Sequence, residues 1–201
     1  MQPRDTQIAN LALYAPKIAF GMMAGVPRVP FIGDISIQFS SSTVNAPPVV
    51  QNFSNNLTQH TIVERIAYNL GQQNSFPGSP FQSLYFNQLK QSGQVGVGVQ
   101  LAVFGGPKYN VNDTFTDLGT LADVFAVACP NGWPLEKQSN VKVSAILTQT
   151  PVSVPFNLTL TFLGWQFLSK ELDDMSDSEA RERLNKLGIH TPDLKILLSN
   201  G

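Results

Sequence analysis

The side chains in this sequence that could do chemistry beyond packing are two histidines, one cysteine and a small group of aspartates. His60 opens an apolar alternating run, and His190 lies between two helix-forming segments. Neither has a Cys, Asp or Glu at metal-ligand spacing, so both read as ordinary surface or partly buried histidines. No family signature of a catalytic thiol surrounds Cys129, which reads as a small buried side chain. Asp113, Asp117 and Asp123 gather near Asn110 and Asn112. Oxygen ligands on a loop could hold calcium, and paired carboxylates could hydrolyse a glycoside. NVNDTFTDLG lacks the spacing of a calcium loop, however, and Asx turns and a helix N-cap explain the same residues. Gly105-Gly106-Pro107-Lys108 lacks the Gly-Lys-Ser/Thr step of a phosphate loop and reads as a turn. Tyr109 and Trp133, with the 105–117 loops, could stack on a sugar. They define the alternative function, a glycan-binding module for host recognition. No catalytic, metal or cofactor set is expected, and the chain is read as a non-enzyme.

The elements that must hold these residues are mostly strands. Residues 140–168 carry the strongest pattern, in which Val141, Val143, Ala145 and Leu147 alternate with polar neighbours. Phe156, Leu158, Leu160 and Phe162 do the same further on. Period-two alternation of this kind marks half-buried strands. Pro151 and Pro155 bound a turn between the two runs, which predicts an antiparallel pair. Trp165 and Phe167 make the last strand apolar on both faces, which predicts cover by another element, with the tail helix as a candidate. Further strands are expected at 31–40, 49–53, 58–70, 83–91 and 94–104. In the third of these Ile62, Glu64, Ile66 and Tyr68 would share one face, and Val63, Arg65, Ala67 and Asn69 the other. Gly-Pro-rich connections separate the runs.

The ends differ from this body. In residues 1–30, Ile8, Leu11, Ala12 and Ala15 lie at helical spacing up to Pro16, and a Met- and Gly-rich stretch follows. In residues 169–201, Ser176 and Glu179 fit a capping box, and Ala180, Leu184 and Leu187 lie at i, i+4 and i+7. Gly188 stands where a left-handed C′ residue is preferred, and a second short helix is expected at 193–198. The expected fold is mainly β: a two-sheet antiparallel sandwich (31–168), jelly-roll-like, with an N-terminal arm (1–30) and a charged helical tail (169–201).

Composition narrows the function classes. Thirteen basic and fourteen acidic side chains leave a net charge of −1, which offers no basic excess for phosphate contacts and so no nucleic-acid reading. Charged residues make up 13% of the chain, against about 25% in ordinary domains, so the body is covered by neutral polar side chains. Charge depletion is a property of protein–protein interface cores. A single cysteine allows no intrachain disulfide. The N-terminus lacks a signal-peptide layout, and the apolar patch at 18–26 is too short to span a bilayer. The sequons at Asn52, Asn56, Asn112 and Asn157 therefore read as chance matches.

Three segments, TIVERIAYNL, GWPLEKQSNVKVSAILT and FNLTLTFLGWQFL, carry a resemblance. A Trp-Pro-Leu turn precedes a strand ending in Leu-Thr, and a Pro-bounded turn leads to a last strand with the step Phe162-Leu163-Gly164. Across residues 59–168 the chain resembles small jelly-roll proteins of phage and virus particles: capsid, vertex or associated components. The resemblance implies a structural role in a virion assembled in the host cytoplasm, as a homo-oligomer with other virion proteins. The arm and tail lie outside it. Their apolar residues Leu11, Phe20, Met22, Met23, Ala180, Leu184, Leu187 and Leu197 are the expected subunit contacts, docking either on the chain's own sandwich or on a neighbour.

Overall fold

Alternating apolar residues become strands throughout the body of the chain. The computed structural model describes residues 3–40, 43–44, 46–53, 59–72, 96–104, 114–121, 125, 129–148 and 156–190. The strands are β1 (Arg28–Phe39), β2 (Val49–Phe53), β3 (Thr61–Gln72), β4 (Val97–Phe104), β5 (Thr116–Asp117), β6 (Trp133–Leu135), β7 (Asn140–Leu147) and β8 (Phe156–Phe167). They form two four-stranded sheets, ordered β1-β8-β3-β6 and β2-β7-β4-β5. Every pairing is antiparallel. β1 lies beside β8, β2 beside β7, β3 beside β6 and β4 beside β5, as in a long hairpin rolled into a barrel-like sandwich. The expected jelly-roll-like architecture is the one the chain adopts.

Rolling also corrects one expectation. β7 and β8 are not a pair: they lie in different sheets. Val141, Val143, Ala145 and Leu147 meet Leu158, Leu160 and Phe162 across the core, not along a shared ladder. Alternation identifies the inward faces of both strands but carries no information on which strand lies beside which. The strand expected at 83–91, the 149–155 turn, the 105–108 turn and the 193–198 helix lie outside the described residues.

The inner faces meet as one core. β1 contributes Phe31, Ile35, Ile37 and Phe39, and β4 contributes Val97, Val99 and Leu101. Full burial of one such side chain contributes roughly 1.5–3 kcal/mol, so this layer dominates the stability of the sandwich.

β3 departs from simple alternation. Val63 pairs with Gly164 and Arg65 with Leu163, which leaves Glu64 as the extra residue of a β-bulge. The bulge shifts the phase by one residue. Val63 and Ile66, three positions apart, both enter the core, while Glu64 and Arg65 both face solvent. Ile62, one step before Val63, points out of the sandwich into a second apolar cluster. The sequence expectation of Ile62 and Ile66 on one face fails for this reason. Gly164 makes the bulge possible, since a Cβ there would be driven into the carbonyl oxygen of Ile62.

Arm and tail form a third layer on the outer face of the first sheet. The helices are α1 (Pro3–Tyr14), α2 (Pro16–Met23), α3 (Lys170–Asp174) and α4 (Asp177–Lys186). Pro16 ends α1 and also occupies the first turn of α2, where its missing N–H costs nothing. Ser169 and Ser176 cap α3 and α4, accepting the amides of Leu172 and Glu179 at 3.2 Å. Beyond α4, Gly188 takes a φ of 82° and reverses the chain, so that the Ile189 amide donates to the Leu184 carbonyl at 3.0 Å. This is the C-terminal motif that the glycine predicts. It also turns Ile189 inward and leaves Leu187 50% exposed, so Ile189 and not Leu187 completes the apolar stripe.

Gly164→Ala is expected to destabilise the fold by about 2–3 kcal/mol, because either the bulge or the β3–β8 register must give way. A Ser36→Ala control at an exposed site of β1 should stay within about 0.5 kcal/mol. Urea denaturation of the three proteins checks this, and a Gly164→Ala protein as stable as the parent would overturn it.

Candidate functional site: the seam between helices and sandwich

The helical layer has its own core. Ile8, Leu11, Ala12 and Ala15 of the α1 segment, Ile18 and Ala19 of α2, Leu172, Met175, Ala180 and Leu184 enclose Ile62 and Phe167 of the sheet. Phe20, Met22, Met23 and Trp165 pack against its rim. The expected cover over Trp165 and Phe167 is therefore present, supplied jointly by arm and tail. Arg183 of α4 lies 5.6 Å above the Phe20 ring, and Arg28 lies 5.1 Å above Trp165. Arg181 of α4 donates to the Leu13 carbonyl in the last turn of α1 at 3.4 Å, where a cation is favoured by the exposed carbonyl ends. Arg183 also joins Glu171 of α3 to Glu179 of α4.

The expected contact residues of arm and tail take their places in this packing. Leu11, Ala180 and Leu184 are buried within their own chain, so in this arrangement they have no surface left for a neighbour. Phe20, Met22 and Met23 are half-buried against the same cluster, and Leu187 stays exposed. Leu197 lies outside the described residues.

A polar seam runs where helices meet sandwich. His60, just before β3, is 3% exposed. Its Nδ1 accepts the Lys137 amide at 3.3 Å, from the tight β6–β7 turn. Its Nε2 stands 3.7 Å from Oδ1 of Asp173 in α3. The other oxygen, Oδ2, accepts from Lys137 Nζ at 2.6 Å. His60 Nε2, Asp173 Oδ1 and Glu136 Oε1 are buried and find no hydrogen-bond partner among the described residues. Burial pushes the His60 pKa down, and Lys17 and Lys137 add to this against the opposing pull of Asp173 and Asp177. Burial pushes the Glu136 pKa up, with Asp177 reinforcing it and Lys17 and Arg181 opposing. The Nδ1 contact places the proton of the neutral ring on Nε2.

Chemically this is a clamp. Its histidine is buried and its carboxylates are partly buried, and its contacts tie the β6–β7 turn to α3. Nothing local in sequence announces it, because His60, Lys137 and Asp173 are far apart along the chain and meet only through the layer packing.

Other sequence candidates separate. Trp133 is fully buried and packs at a tilt on Phe162, with ring centroids 6.1 Å apart. It serves the sandwich core and cannot offer its face to a sugar. Tyr109, Asp113 and Asp123 lie outside the described residues. Asp117 accepts the Thr120 amide at 3.1 Å and so caps the helical turn at 118–121, as the N-cap explanation expects. Cys129 is buried, and His190 is exposed. Among the described residues no three His, Cys, Asp or Glu side chains gather to hold a metal ion. No helix among them is long and apolar enough to cross a membrane. Two adjoining grooves of about 200 and 310 Å³ separate α1 from the Cys129–Pro134 turn. The Asn131 side chain spans this gap, donating to the Gln7 carbonyl at 3.0 Å.

Comparison with protein-family models, curated proteins and solved structures yields no match to this chain.

Lys137→Ala is expected to cost about 1–3 kcal/mol, because it leaves the mostly buried Asp173 carboxylate without its shortest partner. Replacing both, as Lys137→Met with Asp173→Leu, should recover most of that loss. A cycle of Lys137→Met, Asp173→Leu and the two together, read by urea denaturation, checks this, and additive losses would count against a coupled clamp.

Proposed function

We propose that the chain is a non-enzymatic structural protein of a phage or virus particle, assembling with further copies of itself and with other virion components. The observation that carries this reading is the rolled strand order, β1-β8-β3-β6 over β2-β7-β4-β5. Jelly rolls of this kind serve as viral capsid domains, lectins and cupins. The low charge of the chain supports the same reading, since few charged groups need desolvating when neutral polar surfaces meet. The glycan-binding alternative loses its main contact through the burial of Trp133.

Docking of arm and tail on their own sandwich moves the contact surface elsewhere. Ile32 is 69% exposed on the outer face of β1, with Leu168 at 49% and Val29 at 37% near the same end of that strand. β1 is a sheet-edge strand of twelve residues, whereas the other edges, β2, β5 and β6, have five, two and three. A long edge is the usual place for chains to join.

Light scattering of the full chain should give a discrete oligomer or a larger assembly. Ile32→Asp should shift it toward monomer while changing stability by no more than about 0.5 kcal/mol, as expected for an exposed site. A strict monomer at high concentration would sink the assembly reading. An Ile32→Asp protein that assembles like the parent would remove the β1 edge from the contact.

A further inference from the structure

The outer edge of β1 presents its backbone groups in a fixed phase. The Leu168 amide, just beyond β8, donates to the Pro27 carbonyl, whereas the Phe167 amide points away from β1 and donates to the His60 carbonyl. The β1–β8 register runs without a shift from Arg28 opposite Phe167 to Phe39 opposite Phe156. Alternation along an antiparallel ladder therefore turns the N–H and C=O groups of Arg28, Pro30, Ile32, Asp34 and Ser36 toward the free edge. The side chains of these five residues are exposed as well. Among the described residues no strand pairs with this edge. Pro30 fits the phase, because its missing N–H falls on the open side and costs no bond to β8.

We propose that this edge seats a second copy of the chain: β1 pairs antiparallel with β1 of that copy about a two-fold axis through Ile32, which joins the two first sheets into one. The inference rests on the assembly reading and deepens it by fixing the partner and the register.

Charge and shape make the selection. Arg28 and Asp34 are the charged side chains of β1. A parallel mate would set Arg28 beside Arg28 and Asp34 beside Asp34, and an antiparallel mate centred on Asp34 would oppose two carboxylates. Like charges directly opposite are destabilising. Centring on Ile32 pairs Ile32 with Ile32, Pro30 with Asp34 and Arg28 with Ser36. Each Arg28 then stands diagonal to the Asp34 of the other copy, within reach of a long side chain. Moving the axis one residue toward Phe31 sets Ile32 against Pro30 and carries Ser36 past the start of the other strand at Arg28. Moving it toward Gly33 sets Ile32 against Asp34. Ile32 is 69% exposed, the most exposed large apolar side chain among the described residues, and the two-fold covers it with its own copy. Asp34 commits Oδ1 to the Thr161 hydroxyl at 2.6 Å, which leaves Oδ2 for the incoming guanidinium. Arg28 lies 5.1 Å from the Trp165 ring, so its charge is held on the outer face where Asp34 also stands. The edge is thus complementary to itself.

A strand-edge contact is smaller than the roughly 1,200–2,000 Å² of a standard interface, so the pair is expected to dissociate on dilution and the test traps it covalently. Ile32→Cys and Ser36→Cys are made in the full chain, and wild type controls for the buried Cys129. In the proposed register the two Cα atoms at position 32 lie about 5.5 Å apart, inside the disulfide range of about 4.4–6.8 Å. Those at position 36 lie about 26 Å apart along the ladder. With copper phenanthroline as oxidant, Ile32→Cys should form the covalent dimer at least about tenfold faster than Ser36→Cys, because only the first pair can meet without backbone movement. Wild type should form none. In the Ile32→Cys chain, Asp34→Arg should slow the cross-link several-fold, and adding Arg28→Asp should restore it. Equal rates at the two positions would overturn the pair, as would slowing by Asp34→Arg that Arg28→Asp does not relieve. Light scattering of the reduced chains reads assembly separately. Assemblies in which position 32 does not cross-link would overturn the self-pairing alone and hand the edge to a strand of a different protein. Monomers that do not cross-link at high concentration would remove the assembly reading as well.

Discussion

One sheet in this molecule is apolar on both faces, and everything else in the architecture answers to that. The sheet containing β1, β8, β3 and β6 buries Val63, Ile66, Leu160 and Phe162 inward and Ile62 and Phe167 outward. A strand that simply alternates cannot place Val63 and Ile66 inside while Ile62 points out. The extra residue at Glu64 supplies the change of phase, and the bare backbone of Gly164 supplies the space for it. A continuous β3 would expose either the second core or part of the first. The bulge is thus the hinge between two packing problems that share one layer.

The outward face decides the fate of both chain ends. Helices as short as α1 to α4 are marginal alone in water, so their order comes from the surface they cover. Ile62 and Phe167, each contributing roughly 1.5–3 kcal/mol when fully buried, outweigh the exposed ion pairs that decorate α4. The charged residues of the tail act mainly as trim: Arg181 reaches the end of α1, and Arg183 spans Glu171, Glu179 and Phe20. The seam polar groups are of another kind. They lie where apolar contact would have been simpler, and three of their atoms are left unpaired among the described residues. Buried polar atoms without partners cost stability, so this boundary is less firmly held than the apolar clusters on either side of it.

Legibility of the sequence followed the range of the interaction. Strand faces in β1, β7 and β8, the Ser176 cap and the Gly188 reversal were all readable, because each depends on residues within a few positions of one another. The doubly apolar end of β8 correctly demanded a cover. What stayed hidden was long-range. β7 and β8 look like a hairpin because they are adjacent in sequence, yet the rolled topology sends them to opposite sheets. The β3 bulge was unreadable because the cause lies in Gly164, on another strand. Leu187 fits a helical stripe by counting, but the turn at Gly188 substitutes Ile189. Trp133 looks like a ligand platform on composition alone, and only the inter-sheet packing shows its face covered. The His60, Lys137 and Asp173 contact has no local signature at all.

The pairing of first with last has a kinetic consequence. β1 has β8 as its ladder partner, and the apolar stripes of α1 and α2 close against α3 and α4. During synthesis the N-terminal helices and β1 emerge first and must wait, with their apolar faces open, until the most distant strand of the sandwich leaves the ribosome. Contacts of such large sequence separation make for slow folding, and the waiting segment is the exposed, aggregation-prone species. Holding by a chaperone, or rapid capture by β8 once it appears, would govern the yield of folded chains more than the final stability does.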